Sequence, residues 1–488
     1  LSDGQLEEMV EKTKALEAYQ ESEERPEDLQ CIPMLKRSDI RKEVNGFSNE
    51  ELQVDNSLFL YQDVCTNGIG YVNVMFEIKD MAVEKVHYLG LLKSVLGYVD
   101  TENYTYGQLF NETNARTGGI QCGVDVFDKA DDPEAFRAMF TIRGKALYPQ
   151  MDFLFQMMEE ILNTSKITDT KRLYEIIAEI KSRGQASLIG SGHQTAVLRG
   201  ASYGSPMARF QDEMAGVGYY KFIEDLEKNF QDKKAEIVAG LENAMAEIIR
   251  RDSFMVSYTG ERESVEQLKA LSGSLKKSLK ESSCQVPEVA ITCEKKNEGF
   301  KTSGQVQYVA RTGNFVKKGF TYTGALEILK VALSYDYLWI NLRVKGGAYG
   351  CMSGFGTYGD SYLVSYRDPN LGQTNEVFEQ TPEYVEQFDA SERDMTKYII
   401  GTISDMDTPR TPAMEGSRGL ASWLTQTTLE DIQKYRDEVL DAQPEDIRAL
   451  SGGIRELLEE GAFCAIGNES KIEKEKELFD TTFRLFGA

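Results

Sequence analysis

The chain has 488 residues, more than a single hydrophobic core usually serves, so two or more large domains are expected. Its composition, 41% hydrophobic and 27% charged, is that of a globular protein, and no apolar run approaches the ~18–20 residues of a membrane span. The formal net charge of −24 excludes nucleic acids and anionic membranes as expected partners and favours basic ligands, including basic peptides.

The cysteines and histidines argue against a disulfide framework or a metal site. Seven cysteines are scattered along the chain without a CxxC pair, which predicts reduced thiols in a reducing compartment, the cytoplasm or an organelle matrix. Two histidines occur, His87 and His193, and neither begins an HxxEH or HxxH motif. We therefore expect no metal and no other cofactor in this chain.

The N-terminal residues predict a helical arm. Apolar residues form a narrow stripe among Glu and Lys, and Pro26 ends the pattern. We assign residues 1–45 to this arm, which cannot form a core alone. The charged start predicts no signal peptide, and Leu1 in place of Met indicates a processed chain or a piece of a longer one.

Residues 46–271 predict a first α+β domain. Asn67-Gly68 is a hairpin signal between two strand-like runs, and Gly118-Gly119 precedes a third. The predicted strands are 57–61, 70–78, 120–127, 136–146 and 254–258; the predicted helices are 83–99, 151–162, 169–182, several up to about 251, and one from 264. The Ser/Lys-rich stretch 272–288 is the predicted linker.

Residues 289–488 repeat this order in a second domain. The predicted strands are 306–310, 351–355, 362–366 and 462–466; the predicted helices are 325–340, 375–388, 392–403, 429–440, 444–451 and one running into Phe479.

Four segments match between the two halves in the same order. LLKSVLGYV (91–99) parallels ILKVALSYD (328–336), TGGIQCGVDVF (117–127) parallels KGGAYGCMSGF (345–355), LYEIIAEIKS (173–182) parallels TKYIIGTISD (396–405), and FMVSYTGERES (254–264) parallels FCAIGNES (463–470). The sequence thus predicts an α+β protein with two tandem homologous domains. Each would be a mostly antiparallel sheet with helices packed on one face.

The two copies differ beside the glycine pair. Aligning Gly118-Gly119 with Gly346-Gly347 places Ala115 opposite Arg343 and Gln121 opposite Tyr349. A turn needs neither an arginine nor a tyrosine, whereas a guanidinium and a phenol together suit a peptide carbonyl and the oxyanion formed when it is attacked. The residues alone leave a second interpretation open, in which Tyr349 is a core aromatic and Arg343 forms a surface ion pair.

The chain resembles the C-terminal half of a presequence-protease-like zinc metallopeptidase of the pitrilysin/insulinase class. LRVKGGAYG (342–350) is similar to the motif of the family's fourth domain that supplies a substrate-binding arginine and tyrosine. The start of the third domain is similar to IPMLKRSDI (32–40), its first hairpin to TNGI (66–69) with Tyr71, and its central helical segment to Gly192-His193 through Tyr203 with Gly218-Tyr219-Tyr220.

This resemblance implies a clamshell of four homologous domains around a chamber for unfolded peptides. Arg343 and Tyr349 are the catalytic and substrate-binding side chains it implies here, with Gly346 and Gly347 part of the substrate-binding stretch. The family's HxxEH motif, and hence its zinc, belongs to the N-terminal half and is missing from this sequence. The implied partner is that HxxEH-bearing half, on the same polypeptide or on a partner chain. Alone, the chain is predicted to be inactive.

Three functional hypotheses remain open. The first is the substrate-binding half of a single-chain peptidase, and the second is a complete non-catalytic subunit that pairs with an HxxEH-bearing chain. The third is a non-enzymatic, peptide-binding or structural homologue. His193, near a predicted helix start, is expected to be a structural hydrogen-bonding residue and not a zinc ligand.

Overall fold

A computed structural model describes residues 2–22, 25–29, 31, 33, 35–78, 81, 83–130, 132–281 and 291–487. The chain divides into two compact units, residues 1–41 and 42–488. The first unit contains helices α1 (Asp3–Glu21) and α2 (Pro26–Leu29). In α1 the predicted apolar stripe is exposed: Leu6, Met9, Val10, Leu16 and Tyr19.

The second unit contains two six-stranded sheets with helices packed on them, which confirms the predicted fold class. Sheet A has the order β1-β2-β6-β3-β5-β4, and sheet B the order β12-β7-β11-β8-β10-β9. The strands of sheet A are β1 (Glu50–Val54), β2 (Ser57–Asp63), β3 (Ile69–Ile78), β4 (Ile120–Lys129), β5 (Asp132–Leu147) and β6 (Phe254–Gly260). Those of sheet B are β7 (Glu298–Thr302), β8 (Tyr308–Asn314), β9 (Gly350–Phe355), β10 (Asp360–Tyr366), β11 (Ala462–Asn468) and β12 (Thr481–Arg484).

Five strands occupy equivalent places in the two sheets and follow in the same chain order, β2 to β6 in one and β7 to β11 in the other. Most neighbours are antiparallel, while β2–β6, β7–β11 and β7–β12 are parallel. The sixth strand of each sheet lies beside β2 or β7 and comes from opposite chain ends, β1 before the repeat and β12 after it. This agreement of topology confirms the internal duplication.

The helices of the first repeat are α3 (Val83–Val95), α4 (Tyr106–Arg116), α5 (Met151–Thr164), α6 (Thr170–Gly190), α7 (Gly192–Ala201), α8 (Pro206–Ala215), α9 (Val217–Lys228), α10 (Phe230–Ile248) and α11 (Val265–Ser278). Helix α11 covers the first part of the predicted linker 272–288, so the last helix of the repeat extends beyond the predicted end at 271. The rest of that linker, from 282 on, lies outside the described residues.

The helices of the second repeat are α12 (Gly324–Ala332), α13 (Gly372–Glu379), α14 (Thr381–Glu386), α15 (Glu392–Met406), α16 (Pro412–Thr425), α17 (Leu429–Asp441), α18 (Pro444–Arg448), α19 (Ser451–Glu459) and α20 (Glu469–Lys474). The predicted helix 325–340 is too short at its C-terminal end. Helix α12 continues through two π-helical segments, Leu333–Tyr337 and Trp339–Lys345, which reach the glycine pair.

The repeats exchange helices across their second sheet faces. One face of sheet A packs on helices of its own repeat, and its other face, at Leu60, Met75 and Met139, packs on Leu420 and Leu424 of α16. In return, α7 of the first repeat packs on sheet B, with Ala196 in the same apolar cluster as Tyr308 and Ala310.

Glycines permit both of these close contacts. A Cβ atom on Gly416 of α16 would overlap Thr259 Oγ1, and one on Gly200 of α7 would lie 2.9 Å from Thr312 Oγ1. Each sheet therefore depends on the other repeat to cover its second face.

Candidate substrate-binding site

The candidate site begins at the π-helical end of the long helix. Wide π turns are rare and frequently mark functional positions. In the segment Trp339–Lys345, the guanidinium carbon of Arg343 lies 4.3 Å from the centre of the Trp339 ring. This cation–π contact orients the arginine, and Trp339 itself is 39% exposed.

The two glycines end this helix and turn the chain towards sheet B. Gly347 has φ +79°, a left-handed conformation that favours glycine. A Cβ atom on Gly346 would lie 2.6 Å from the carbonyl oxygen of Leu342, so this position also requires glycine. The amide of Gly347 donates to the carbonyl of Arg343 at 3.1 Å, and the side-chain amide of Asn370 donates to the carbonyl of Gly346 at 2.7 Å.

Asp368 fixes the loop that holds the glycines. Its buried carboxylate accepts hydrogen bonds from the amide of Asn370 at 2.8 Å and from Thr374 Oγ1 at 2.7 Å. Burial raises the pKa of Asp368. The main chain of Asp368 is also bound on both sides by the main chain of Gln307. The turn at Gly346 is thus supported from the sheet through Asn370.

Tyr349 follows the glycines and enters edge strand β9. Its amide donates to the carbonyl of Tyr366 at 3.1 Å, and its backbone carbonyl accepts from Nη1 of Arg343. The guanidinium carbon of Arg343 lies 5.4 Å from the centre of the Tyr349 ring. The structure therefore brings together the two site residues predicted from the sequence.

Both side chains keep donors available for a ligand. Tyr349 is 63% exposed, and its hydroxyl makes no hydrogen bond to the described residues. Arg343 uses one Nη1 donor on the Tyr349 carbonyl, and its Nε and Nη2 groups make no hydrogen bond within the described part of the chain. A planar guanidinium and a phenol thus stand side by side at a sheet edge, facing solvent.

The first repeat has the same turn without these donors. Gly119 has φ +98° and lies between helix α4 and edge strand β4, as Gly347 lies between the π-helical end and β9. Ala115 and Gln121 occupy the places of Arg343 and Tyr349, and both are exposed. The turn therefore forms with or without an arginine and a tyrosine beside it.

An aromatic cluster behind Tyr349, drawn from both repeats, was not predicted. The ring of Tyr366 packs edge-on against Tyr349 with centroids 5.9 Å apart, and against His193 of helix α7 with centroids 4.9 Å apart. Tyr308 packs on the same two rings, His193 and Tyr366. Helix exchange between the repeats brings His193 here, and nothing local in the sequence signals that contact.

His193 does not have the hydrogen-bonding role predicted for it. It is the second residue of α7, but its Nδ1 atom is buried and has no hydrogen-bond partner among the described residues. Burial lowers the pKa of His193, which favours the neutral imidazole. Its contribution is the packing of its ring against Tyr366.

Metal-binding side chains do not cluster in the described ranges. No group of three or more His, Cys, Asp or Glu residues within them is placed to hold a metal ion. In the same ranges, no helix is both long and apolar enough to span a membrane.

Comparison with protein families places this geometry in a known group. Residues 1–226 match the family model for the segment associated with M16 peptidases of subfamily C, and residues 297–461 match the "PreP C-terminal domain". The chain is a C-terminal-half, M16 peptidase-like protein. The resemblance to the pitrilysin/insulinase class predicted from the sequence is confirmed, and Arg343 and Tyr349 lie within the second matched segment.

Curated relatives of this M16 peptidase-like chain are about twice as long. "Protein HypA" of Clostridium perfringens is 37% identical over 97% of this chain, which covers 49% of that protein. "Presequence protease 1, chloroplastic/mitochondrial" of Arabidopsis thaliana is 28% identical over 97% of this chain, which covers 44% of it. The chain thus spans about half the length of these relatives.

Solved structures share the M16 peptidase-like fold over nearly their whole length. A conserved protein from Enterococcus faecalis V583 aligns with 86% of this chain and 99% of its own length, at a TM-score of 0.62 and 14% identity. A peptidase M16 inactive domain from Pseudomonas fluorescens aligns with 86% of this chain and 98% of its own, at a TM-score of 0.58 and 12% identity. At such identities the likeness concerns the fold alone.

Proposed function

We propose that this chain is the substrate-binding, chamber-forming C-terminal half of a zinc metalloendopeptidase that degrades unfolded peptides. The observation that carries the proposal is the pair Arg343 and Tyr349. In the second repeat they present free donors at a glycine turn, whereas the equivalent turn of the first repeat carries Ala115 and Gln121.

The two donors suit the carbonyl group of a peptide bond under attack. The free N–H groups of Arg343 and the hydroxyl of Tyr349 can both donate to a carbonyl oxygen. As the carbonyl becomes tetrahedral, its oxygen gains negative charge and both hydrogen bonds strengthen, so the pair stabilises the transition state more than the bound substrate. Trp339 and Tyr366 hold the donors in place, which reduces the reorganisation needed at that moment.

The remaining chemistry belongs to the partner half. A zinc ion held by the HxxEH motif of the N-terminal half would supply the activated water. The N-terminal half resides on the same polypeptide or on a partner chain, which agrees with this chain spanning about half the length of its curated relatives. The net charge of −24 favours basic peptides among the unfolded substrates.

The test is peptide cleavage with zinc present, by this chain alone and after mixing with a separately expressed, HxxEH-bearing N-terminal half. We expect no cleavage by this chain alone and activity on mixing. Tyr349→Phe removes one carbonyl donor and should lower kcat by about 10²–10³-fold with a smaller change in KM. Arg343→Lys keeps the charge but loses the planar fork and should also lower kcat.

Two matched variants control for the substitutions themselves. Tyr335 is 70% exposed on the same long helix, so Tyr335→Phe should leave activity unchanged. Arg484 forms an exposed pair with Glu469, so Arg484→Lys should do the same. Zinc-dependent cleavage by this chain alone would contradict the division of labour. Full activity in Tyr349→Phe and Arg343→Lys would instead favour a purely structural or peptide-binding homologue.

A further inference from the structure

A second concave surface lies in the helical layer of the second repeat. It has a volume of about 1020 Å³ and is bounded by the loop 315–323, the start of α12, helix α17 and the segment α18–α19. Ala325 and Leu326 line it at the beginning of the helix whose far end carries Arg343. At the rise of a helix, this separates the groove from the candidate site by roughly 25 Å.

The floor of this groove is apolar and open to solvent. Phe320 is 36% exposed at its edge, although it packs against Gly453, and Ala449 is exposed on its wall. The remaining apolar lining comes from Val44, Phe315, Ala325, Leu326, Leu429, Leu450 and Ile454.

The rim of the groove is strongly acidic. It carries five carboxylates against a single basic side chain, Lys434, which already lies 3.8 Å from Glu438. The five are Glu430, Asp437, Glu438, Asp441 and Asp446.

Two of these carboxylates are free for a ligand. Glu430 and Asp441 are exposed at opposite ends of helix α17, and neither side chain forms a hydrogen bond or ion pair with the described residues. The other three are already engaged: Asp437 with Gln433, Glu438 with the amide of Gly324, and Asp446 with the amide of Gln443. The free carboxylates therefore flank the apolar floor at both ends of one helix.

We propose that this groove binds a cationic amphipathic peptide segment. Its apolar side chains would contact Phe320, Leu326 and Leu450, and its lysine or arginine side chains would reach Glu430 and Asp441. An apolar floor selects one face of a helix, and the acidic rim selects its basic flanks and speeds the encounter. This binding does not require the proposed peptidase function, since no reacting group lies in the groove.

The experiment measures binding without catalysis. The probe is a fluorescein-labelled peptide of about twelve residues in which leucine and lysine alternate at helical spacing. Its anisotropy is followed with the full chain, beside two comparison peptides: one with glutamate in place of lysine, and one with the same leucines and lysines in scrambled order. We expect binding of the first peptide, weakening with added salt, and at least about tenfold weaker binding of the other two.

Variants locate the binding on the groove. The pair Glu430→Gln with Asp441→Asn should weaken binding about three- to tenfold at low ionic strength. The matched control pair is Glu242→Gln with Asp232→Asn, two exposed carboxylates on α10 without side-chain partners in the described residues, and it should leave binding unchanged. Ala449→Trp places a large ring in the groove from an exposed position and should abolish binding. Hydrogen exchange should slow at 315–326 and 429–441 when the peptide binds.

Three results would overturn the proposal. Equal weakening by the groove pair and the control pair would mean that the peptide responds only to overall acidity. Unchanged binding in Ala449→Trp, without protection of 315–326, would place the peptide elsewhere. A wild-type dimer that Ala449→Trp converts to a monomer would make a second copy of the chain the occupant.

Discussion

Arg199 of the first repeat donates from Nε to Glu298 of the second repeat at 2.9 Å, and from Nη1 to Asp212 at 2.6 Å. All three side chains are nearly or fully buried, and Glu298 also accepts from the hydroxyl of Tyr203. A single guanidinium thus neutralises two buried carboxylates where the repeats meet. The contact is charged and directional, whereas most of the surrounding interface is apolar.

Loss of this arginine should destabilise the protein strongly. Arg199→Ala leaves two buried carboxylates without their cation, at a cost of about 3–5 kcal/mol in the free energy of unfolding. Thermal unfolding followed by circular dichroism would measure the effect. Arg484→Ala, which removes an exposed pair with Glu469, should change stability by less than about 0.5 kcal/mol. Similar losses in both variants would mean that burial of the network contributes little.

The left-handed glycine of the candidate site permits a paired test of strain and function. Gly347→Ala should cost about 1 kcal/mol, because alanine disfavours φ +79°; the added Cβ would meet Pro369 Cγ only at 3.5 Å, an ordinary contact. Gly319→Ala, at φ +85° with open space, should cost the same. Urea unfolding compares the two. With the N-terminal half added, peptide cleavage should fall in Gly347→Ala alone, and an equal fall in both variants would contradict a special role for this turn.

Asp128 predicts a pH dependence of stability. Burial, and then the charge of Asp360, raise the pKa of Asp128 to about 6, compared with about 4 in an unfolded chain. Between these values the folded protein holds a proton that the unfolded chain has lost, so this contribution to stability is present below about pH 4 and is lost as the pH rises through about 6.

Asp128→Asn removes this dependence. The variant should gain about 1–2 kcal/mol relative to wild type between pH 4 and pH 7, a range reduced for the partial exposure of the carboxyl group. Urea unfolding at a series of pH values measures the gain. A constant difference across that range would show that the carboxyl group titrates at its ordinary pKa.

His193 offers a test of an unpartnered buried atom. His193→Phe keeps a ring against Tyr366 and removes the desolvated Nδ1, so the free energy of unfolding should rise by up to about 1 kcal/mol. His193→Ala should instead lower it by about 1–2 kcal/mol, since the ring contact is lost. Thermal midpoints of the two variants would separate these effects. Destabilisation by both would indicate that Nδ1 has a hydrogen-bond partner in solution.

The sequence predicted the elements whose signals are local. Strand β6 was predicted at 254–258 and extends to Gly260, and the Asn67-Gly68 turn lies at the start of β3 with both residues at positive φ. The duplication was detectable because it preserves strand order and a glycine pair. Arg343 and Tyr349 stood out because a second copy of the same turn lacked them.

What the sequence did not predict depends on contacts between distant segments. Helix α16 was missed, although Thr411 caps it and Pro412 begins it, because its glycines and serines resemble a loop. Gly192 and Gly200 of α7 occur in a Gly/Ser-rich stretch, yet they permit close packing on Tyr308 and Thr312. The π-helical turns and the approach of His193 to Tyr366 likewise have no local sequence signature.

The exchange of helices between the repeats constrains the order in which this protein can mature. When the ribosome has completed β6, at Gly260, the apolar side chains Leu60, Met75 and Met139 on the second face of sheet A still await α16, which begins at Pro412. Until then the nascent first repeat exposes a sticky sheet face, a hazard for aggregation. Synthesis of the first repeat alone should therefore yield chaperone-bound or insoluble material, and cutting the gene between the repeats would separate each sheet from part of its own cover.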